Sequence, residues 1–213
     1  MKVIKSIFVL ICLGIVSCAR NNANLTIDTS KYYSPKKINS VVVLPLTSNS
    51  NLKLNEESLK SMTVKLISSL EAKTSLEILN LKDNSQVHNA YDNVKSQSLS
   101  NFEKAVTVGN SVDAQGVIYG DITTYRESNG SKYGASVPAG AGFKLWLVDP
   151  KTKVVLAVMS FKQDEETLTD NIFNLKEKFN SSFAFRDADE LLINGFNEAA
   201  SELETIRKNP LPN

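Results

Sequence analysis

Cysteine is almost missing from this chain: Cys12 and Cys18 are the two that occur, and both lie in the first 18 residues. Everything that follows them therefore lacks a thiol to form a bridge, bind a metal or attack a substrate, which sets aside disulfide scaffolds and cysteine enzymes together. Histidine is equally sparse, with His88 alone. An excess of one charge is also lacking. The formal net charge is +1, and removing Lys2 and Lys5 with an N-terminal leader leaves 22 basic against 23 acidic groups. Without a basic surplus there is no electrostatic case for nucleic acid or for an anionic lipid surface.

What remains is the balance of a folded body. Of 213 residues, 42% are hydrophobic and 22% charged, enough for one well-buried core and too few residues for two domains of ordinary size. No internal repeat of fixed period is visible.

The first residues divide into a short positive part with Lys2 and Lys5, an apolar run from Ile7 to Val16, and a small residue, Ser17, before Cys18. Ten apolar residues rise only about 15 Å as a helix, half of a hydrocarbon core of roughly 30 Å, so the run fits an export signal rather than an anchor helix. Ile15, Val16, Ser17 and Cys18 resemble the lipobox of bacterial lipoproteins. The resemblance implies cleavage after Ser17 and a diacylglyceryl group on the Cys18 sulfur, the nucleophile that accepts lipid. Two or three acyl chains, at about 0.8 kcal/mol per buried CH₂, hold a protein stably on a bilayer. Ala19 stands where an aspartate would favour retention at the inner membrane of enteric bacteria, so the periplasmic face of the outer membrane is expected.

From Ala19 to about Lys37 the chain is polar and aperiodic and reads as a tether. Val41 to Leu46 is a continuous apolar run suited to a strand buried on both faces. Asn55 can cap a helix whose Leu59, Met62, Leu66 and Leu70 form one stripe, and Leu76 to Leu79 makes a second strand. Between Lys82 and Gln97 the periodicity is lost, which predicts a long polar loop. Ser100 and Glu103 have capping-box spacing ahead of a short helix carrying Phe102, Ala105 and Val106, with Gly109 placed to stop it. Val117 to Tyr125 reads as a strand. Phe143, Leu145 and Leu147 alternate in another, and Asp149 and Pro150 turn it into Val154 to Phe161 as a hairpin. Asp187 and Glu190 cap a long terminal amphipathic helix through Ile206. The order predicts an α/β single domain: a mixed, mostly antiparallel-edged sheet of about five strands covered by helices. The expected division is a signal peptide over 1–17, a tether over 18–37, the α/β domain over 38–207 and a tail over 208–213.

Candidate chemistry is thin. His88 has no nearby serine or acid in a recognisable motif and reads as a solvated loop residue. Asp164, Glu165 and Glu166 lack the alternating ligands and glycine of a calcium loop. Gly134 to Gly142 is rich in small residues without the lysine and threonine of a phosphate loop, and reads as a hairpin loop or bulged strand. Tyr119, Tyr125, Tyr133 and Trp146 supply aromatic area for the core, with an exposed member suited to a protein contact. No catalytic, cofactor or metal residues are assigned.

The opening strand "VVVLPL" from Val41 to Leu46, the stretch "VDAQGVIYGDIT" from Val112 to Thr123, and "KLWLVDPKTKVVLAVMSF" from Lys144 to Phe161 together resemble a group of envelope lipoproteins. The group is related to CsgG, the curli secretion lipoprotein, and to LpoB, the lipoprotein activator of penicillin-binding proteins. "ETLTDNIFNL" from Glu166 to Leu175 is similar to other lipoproteins of this type. The motifs are fold-like rather than catalytic, and the relatives do different jobs. The leading expectation is a non-enzymatic, lipid-anchored periplasmic binding or assembly factor with an envelope protein partner. The alternatives are an oligomeric outer-membrane secretion component of CsgG type, for which an obvious pair of long amphipathic strands is missing, and a hydrolase using His88 and the acidic loop.

Overall fold

A computed structural model of the chain describes residues 24–30, 38–49, 51–131, 134–165 and 186–208. The elements run β1 (Leu25–Thr29), β2 (Ser40–Val43), β3 (Thr47–Ser48), α1 (Glu56–Lys73), β4 (Glu77–Asn80), α2 (Ser85–Lys95), α3 (Asn101–Ser111), β5 (Gly116–Arg126), β6 (Asn129–Ser131), β7 (Gly134–Val137), β8 (Gly140–Asp149), β9 (Val154–Asp164) and α4 (Ala188–Lys208).

Polar side chains at the expected places start the helices. Asn55 Oδ1 accepts from the Ser58 N–H at 2.7 Å, Ser100 and Glu103 complete a reciprocal capping box, and Asp187 Oδ1 accepts from the Glu190 N–H at 2.7 Å. Glu56 and Glu57 in the first turn of α1 and Lys73 in its last complement the helix dipole.

The main sheet has the order β1-β9-β8-β5-β2-β4, with β3 continuing alongside β5. β2 pairs parallel with β4 and β5, whereas β8 joins β5 and β9 antiparallel, and β1 closes the far edge antiparallel to β9. A mixed α/β sheet with helical cover is thus the architecture, as expected, with seven strands rather than about five. The added ones are short pieces, β1 and β3, that lack the apolar content of a core strand.

Alternation along β2 divides two cores. Val41 and Val43 face one side with Ile118, Leu145, Leu147 and the helices α1 and α4; Val42 and Leu44 face the other with Val117, Val148, α2 and α3. A strand feeding both layers must be apolar at every position, which is why this run does not alternate. Phe143 and Phe161 stack with centroids 5.2 Å apart, and Phe196 of α4 lies 4.8 Å from Phe143. Gly195 lets α4 settle onto this group, since a Cβ there would come within 2.6 Å of the Phe161 ring.

Three expectations give way. The loop expected over 82–97 contains α2, capped by Asn84, whose Oδ1 accepts from Gln86 N at 3.0 Å and Val87 N at 3.1 Å. Its apolar stripe is only Val87, Ala90, Tyr91 and Val94, narrow enough to be lost among polar neighbours, and it forms because β2, β5 and α3 offer it a core. Gly109 does not stop α3, which continues to Ser111; it is there for closeness, because a Cβ would sit 2.5 Å from Val117 and 2.7 Å from Pro150. Residues 25–29, inside the stretch read as a tether, form β1, whose Leu25 and Ile27 cover the edge of the core while Thr26 and Asp28 are exposed.

Candidate functional site

Antiparallel register places Tyr119, Trp146, Val158 and Asp28 in one row across β5, β8, β9 and β1. The row beside it holds Asp121, Lys144, Ser160 and Thr26. Directly opposed residues share a face of the sheet. That face is covered by α2 and α3 over β2 and β5, and its β8, β9 and β1 portion stays accessible: Lys144, Thr26 and Asp28 are exposed and Trp146, Val158 and Ser160 half-buried. Tyr119 and Trp146 stack with centroids 5.1 Å apart and planes 8° from parallel, and Lys144 Nζ stands 5.3 Å over the indole. Burial, aided by nearby Asp121, pushes the Tyr119 phenol up to about 12, so it stays neutral. Asp121 receives a hydrogen bond from the Thr47 hydroxyl. This arrangement is a flat aromatic platform with a mixed-charge border.

A second concavity, of about 230 Å³, opens where α1 and α4 begin beside the end of β5. Asn55, Ser58, Ser61, Lys65, Tyr125 and Asp189 line it. Glu57 also lines it, and two of its charges pair: Lys65 Nζ lies 2.5 Å from Asp189 Oδ2, while the Tyr125 hydroxyl lies 2.7 Å from Glu127 and 3.2 Å from Asp189. Burial first, then the Glu127 and Asp189 carboxylates, push the Tyr125 phenol far up, so it serves as a donor and not as a base.

The residues weighed in the sequence do not come together. His88 rides exposed on α2, 3.2 Å from Asp92. Asp164 pairs with Arg126 at 2.7 Å and Glu165 with Arg186 at 2.6 Å, so the two carboxylates turn to different arginines rather than to one cation; Glu166 lies outside the described residues. α2 packs by β4, four positions across the sheet from β9, or about 19 Å at about 4.8 Å per strand, which separates His88 from the acidic loop. The small-residue stretch forms β7, paired with β6 as a hairpin, and the start of β8. Cys18, Tyr133 and residues 166–175 lie outside the described residues. Among the described residues no cluster of His, Cys, Asp and Glu could hold a metal, and no helix is long and apolar enough to cross a membrane.

Sequence reasoning missed Glu204, which sits in the apolar stripe of α4 yet is only 7% exposed. Arg207 Nε donates to it at 2.7 Å, Ser75 Oγ at 2.9 Å, and Lys208 lies 3.2 Å away. The Arg207 hydrogen bonds above all hold this carboxyl well below the usual range. The spacing of Glu204, Arg207 and Lys208 at three and four was a legible sign of pairing; the link to Ser75, at the end of α1, was not.

No protein-family model matches the chain, and no curated protein matches it. Among solved structures, two PelC dodecamers from Paraburkholderia phytofirmans are similar, at TM-scores of 0.52 and 0.51. Their identities are 11% and 12%, over 84% of this chain and 98% and 97% of theirs. The LpoB C-terminal domain from Escherichia coli is 15% identical, at a TM-score of 0.42 over 60% of this chain and 83% of that one. A lipoprotein from Neisseria meningitidis is 14% identical, at 0.40 over 67% and 99%. At such identities the likeness is one of fold. The chain thus shares its fold with PelC along nearly the whole of that protein, the LpoB domain stands among its structural neighbours, and a likeness to CsgG is not shown.

Proposed function

We propose that this chain is a lipid-anchored envelope lipoprotein, held by acylated Cys18 at the periplasmic face of the outer membrane, and that its α/β domain is a non-enzymatic binding or assembly factor. The observation that carries the reading is the leader: two lysines, ten apolar residues and Ser17 run without interruption into Cys18. Support comes also from the sheet face around Trp146, which offers an accessible aromatic ring with a lysine ammonium over it.

Intact mass and membrane fractionation of the native protein beside Cys18→Ala test the anchor. A lipid mass on the native chain, sedimentation with outer membrane, and loss of both in the variant are expected. A native chain that is soluble and carries no lipid refutes it. Crosslinking from the native surface then tests for an envelope partner, and recovery of none counts against the binding role.

A second reading, self-association, is favoured by the PelC fold, since the PelC structures are dodecamers. Light scattering of detergent-extracted protein decides it: a large closed assembly supports the reading, and a strict monomer removes it.

A further inference from the structure

Just before β1, the Asn24 carbonyl accepts from Lys162 N at 3.0 Å. Five register pairs, from Leu25 with Phe161 to Thr29 with Ala157, fasten β1 to β9. Leu25 and Ile27 add apolar contact with the main core. The link that remains between Cys18 and the docked strand is residues 19–24. Six Cα steps extend at most about 20 Å, at about 3.3–3.6 Å each, whereas an undocked stretch from Cys18 to Ile38 would reach about 70 Å.

Resting on the acylation of Cys18 proposed above, we propose that β1 acts as a short mooring that holds the Asn24 and Lys162 end of the sheet at the lipid headgroup surface. The occupant of this end is therefore the bilayer, and the argument for it is where the lipid-bearing chain ends and how few residues lie between. Charge does not select the lipid. Exposed Lys162 and Arg126 are offset by Asp164, which Arg126 holds at 2.7 Å, while Arg126 Nε also donates to the Pro138 carbonyl at 2.8 Å. Val137, 40% exposed, adds an apolar contact at the same end. β9 runs from Asp164 at this end to Val154, ten steps or about 33 Å at about 3.3 Å per residue, so the turn at Lys151 lies at the opposite end of the sheet.

Energy transfer measures the mooring. Acylated protein is reconstituted into vesicles of phosphatidylethanolamine and phosphatidylglycerol doped with a headgroup-labelled acceptor lipid. A donor is placed at Lys162→Cys or, separately, at Lys151→Cys; Cys18 is blocked by its lipid. Transfer from position 162 should exceed that from 151 by at least about two-fold, given the length of β9 and the reach of the link. Inserting a flexible segment of about fifteen Gly and Ser residues after Asn22 should cut the transfer at 162 to about half or less. Equal transfer from the two positions, or no response to the insertion, overturns the mooring. Flotation and intact mass keep the two ideas apart: unacylated protein that stays out of the vesicles sinks the anchor and the mooring with it, while acylated, floating protein with equal transfer sinks the mooring alone.

Discussion

Tyr119 and Trp146 face each other across the β5–β8 pair and stack at 5.1 Å, one ring buried and the other half open to solvent. Because Tyr119 belongs to the core under α2 and α3, the open aromatic is rigidly backed. A backed, flat indole costs little entropy when a partner covers it, which makes it the best anchor on this face.

Trp146→Ala should destabilise the domain by about 2 kcal/mol, below the roughly 3–5 kcal/mol of a fully buried aromatic, because the residue is only partly buried. Val158→Lys, directly opposite Asp28 and so charge-paired with it, should cost less stability than Trp146→Ala. If this face makes the contact, Val158→Lys abolishes crosslinking to the partner or to other copies; unchanged crosslinking places the contact elsewhere. Denaturant titration and crosslinking read the two effects.

Stability should fall on acidification through Glu204. Its folded carboxyl titrates well below the unfolded value, so its contribution is fully present above about pH 4.3 and is lost progressively as pH drops towards the folded value. In Glu204→Gln the melting temperature should be lower at pH 7 and should change less between pH 5 and pH 3. Parallel curves for native and variant would contradict this assignment. Removing Arg207 instead, as Arg207→Ala, should cost about 1–3 kcal/mol by stripping hydrogen bonds from a buried carboxylate.

Gly195→Ala should cost about 1–3 kcal/mol by driving a methyl into the Phe161 ring, which lies 2.6 Å from where that Cβ would be. The double variant Gly195→Ala with Phe161→Leu should recover part of the loss relative to the sum of the singles, a coupling visible in a double-mutant cycle.

The β1 register is directly checkable. Thr26 and Ser160 are partners across β1 and β9, and opposed residues of an antiparallel pair have Cα atoms about 4.5–5.5 Å apart, inside the range of a disulfide. Thr26→Cys with Ser160→Cys should oxidise to an intramolecular bridge, seen as a loss of about 2 Da by intact mass. Thr26→Cys with Lys162→Cys, two residues out of register on the same face, should do so poorly. The reverse preference would show that β1 pairs differently.

Elements that carry their own instructions were legible. Val41 to Leu46 announced a central strand, and the caps at Asn55, Ser100 with Glu103, and Asp187 announced three helices, because capping and apolar period act over three or four residues. The stripe of α2 obeys the same rule, with Val87, Ala90, Tyr91 and Val94 behind Asn84, but four residues stabilise a helix only when a groove receives them. Of the site, the aromatic residues were visible and their stacking was not, since that depends on which residue of β8 stands opposite Tyr119.

The amino-acid sequence by itself determined the α/β alternation and the helix starts, both set by chemistry between near neighbours. Only the tertiary structure decided that Leu25 to Thr29 is a strand, that Glu204 is a buried carboxylate tied to the end of α1, and that Trp146 lies on an accessible platform. In each case the partner that satisfies the hydrogen bonds or covers the apolar surface lies far along the chain: β9 for β1, Ser75 for Glu204, Tyr119 for Trp146. Folding brings those partners within reach, and no local pattern records them.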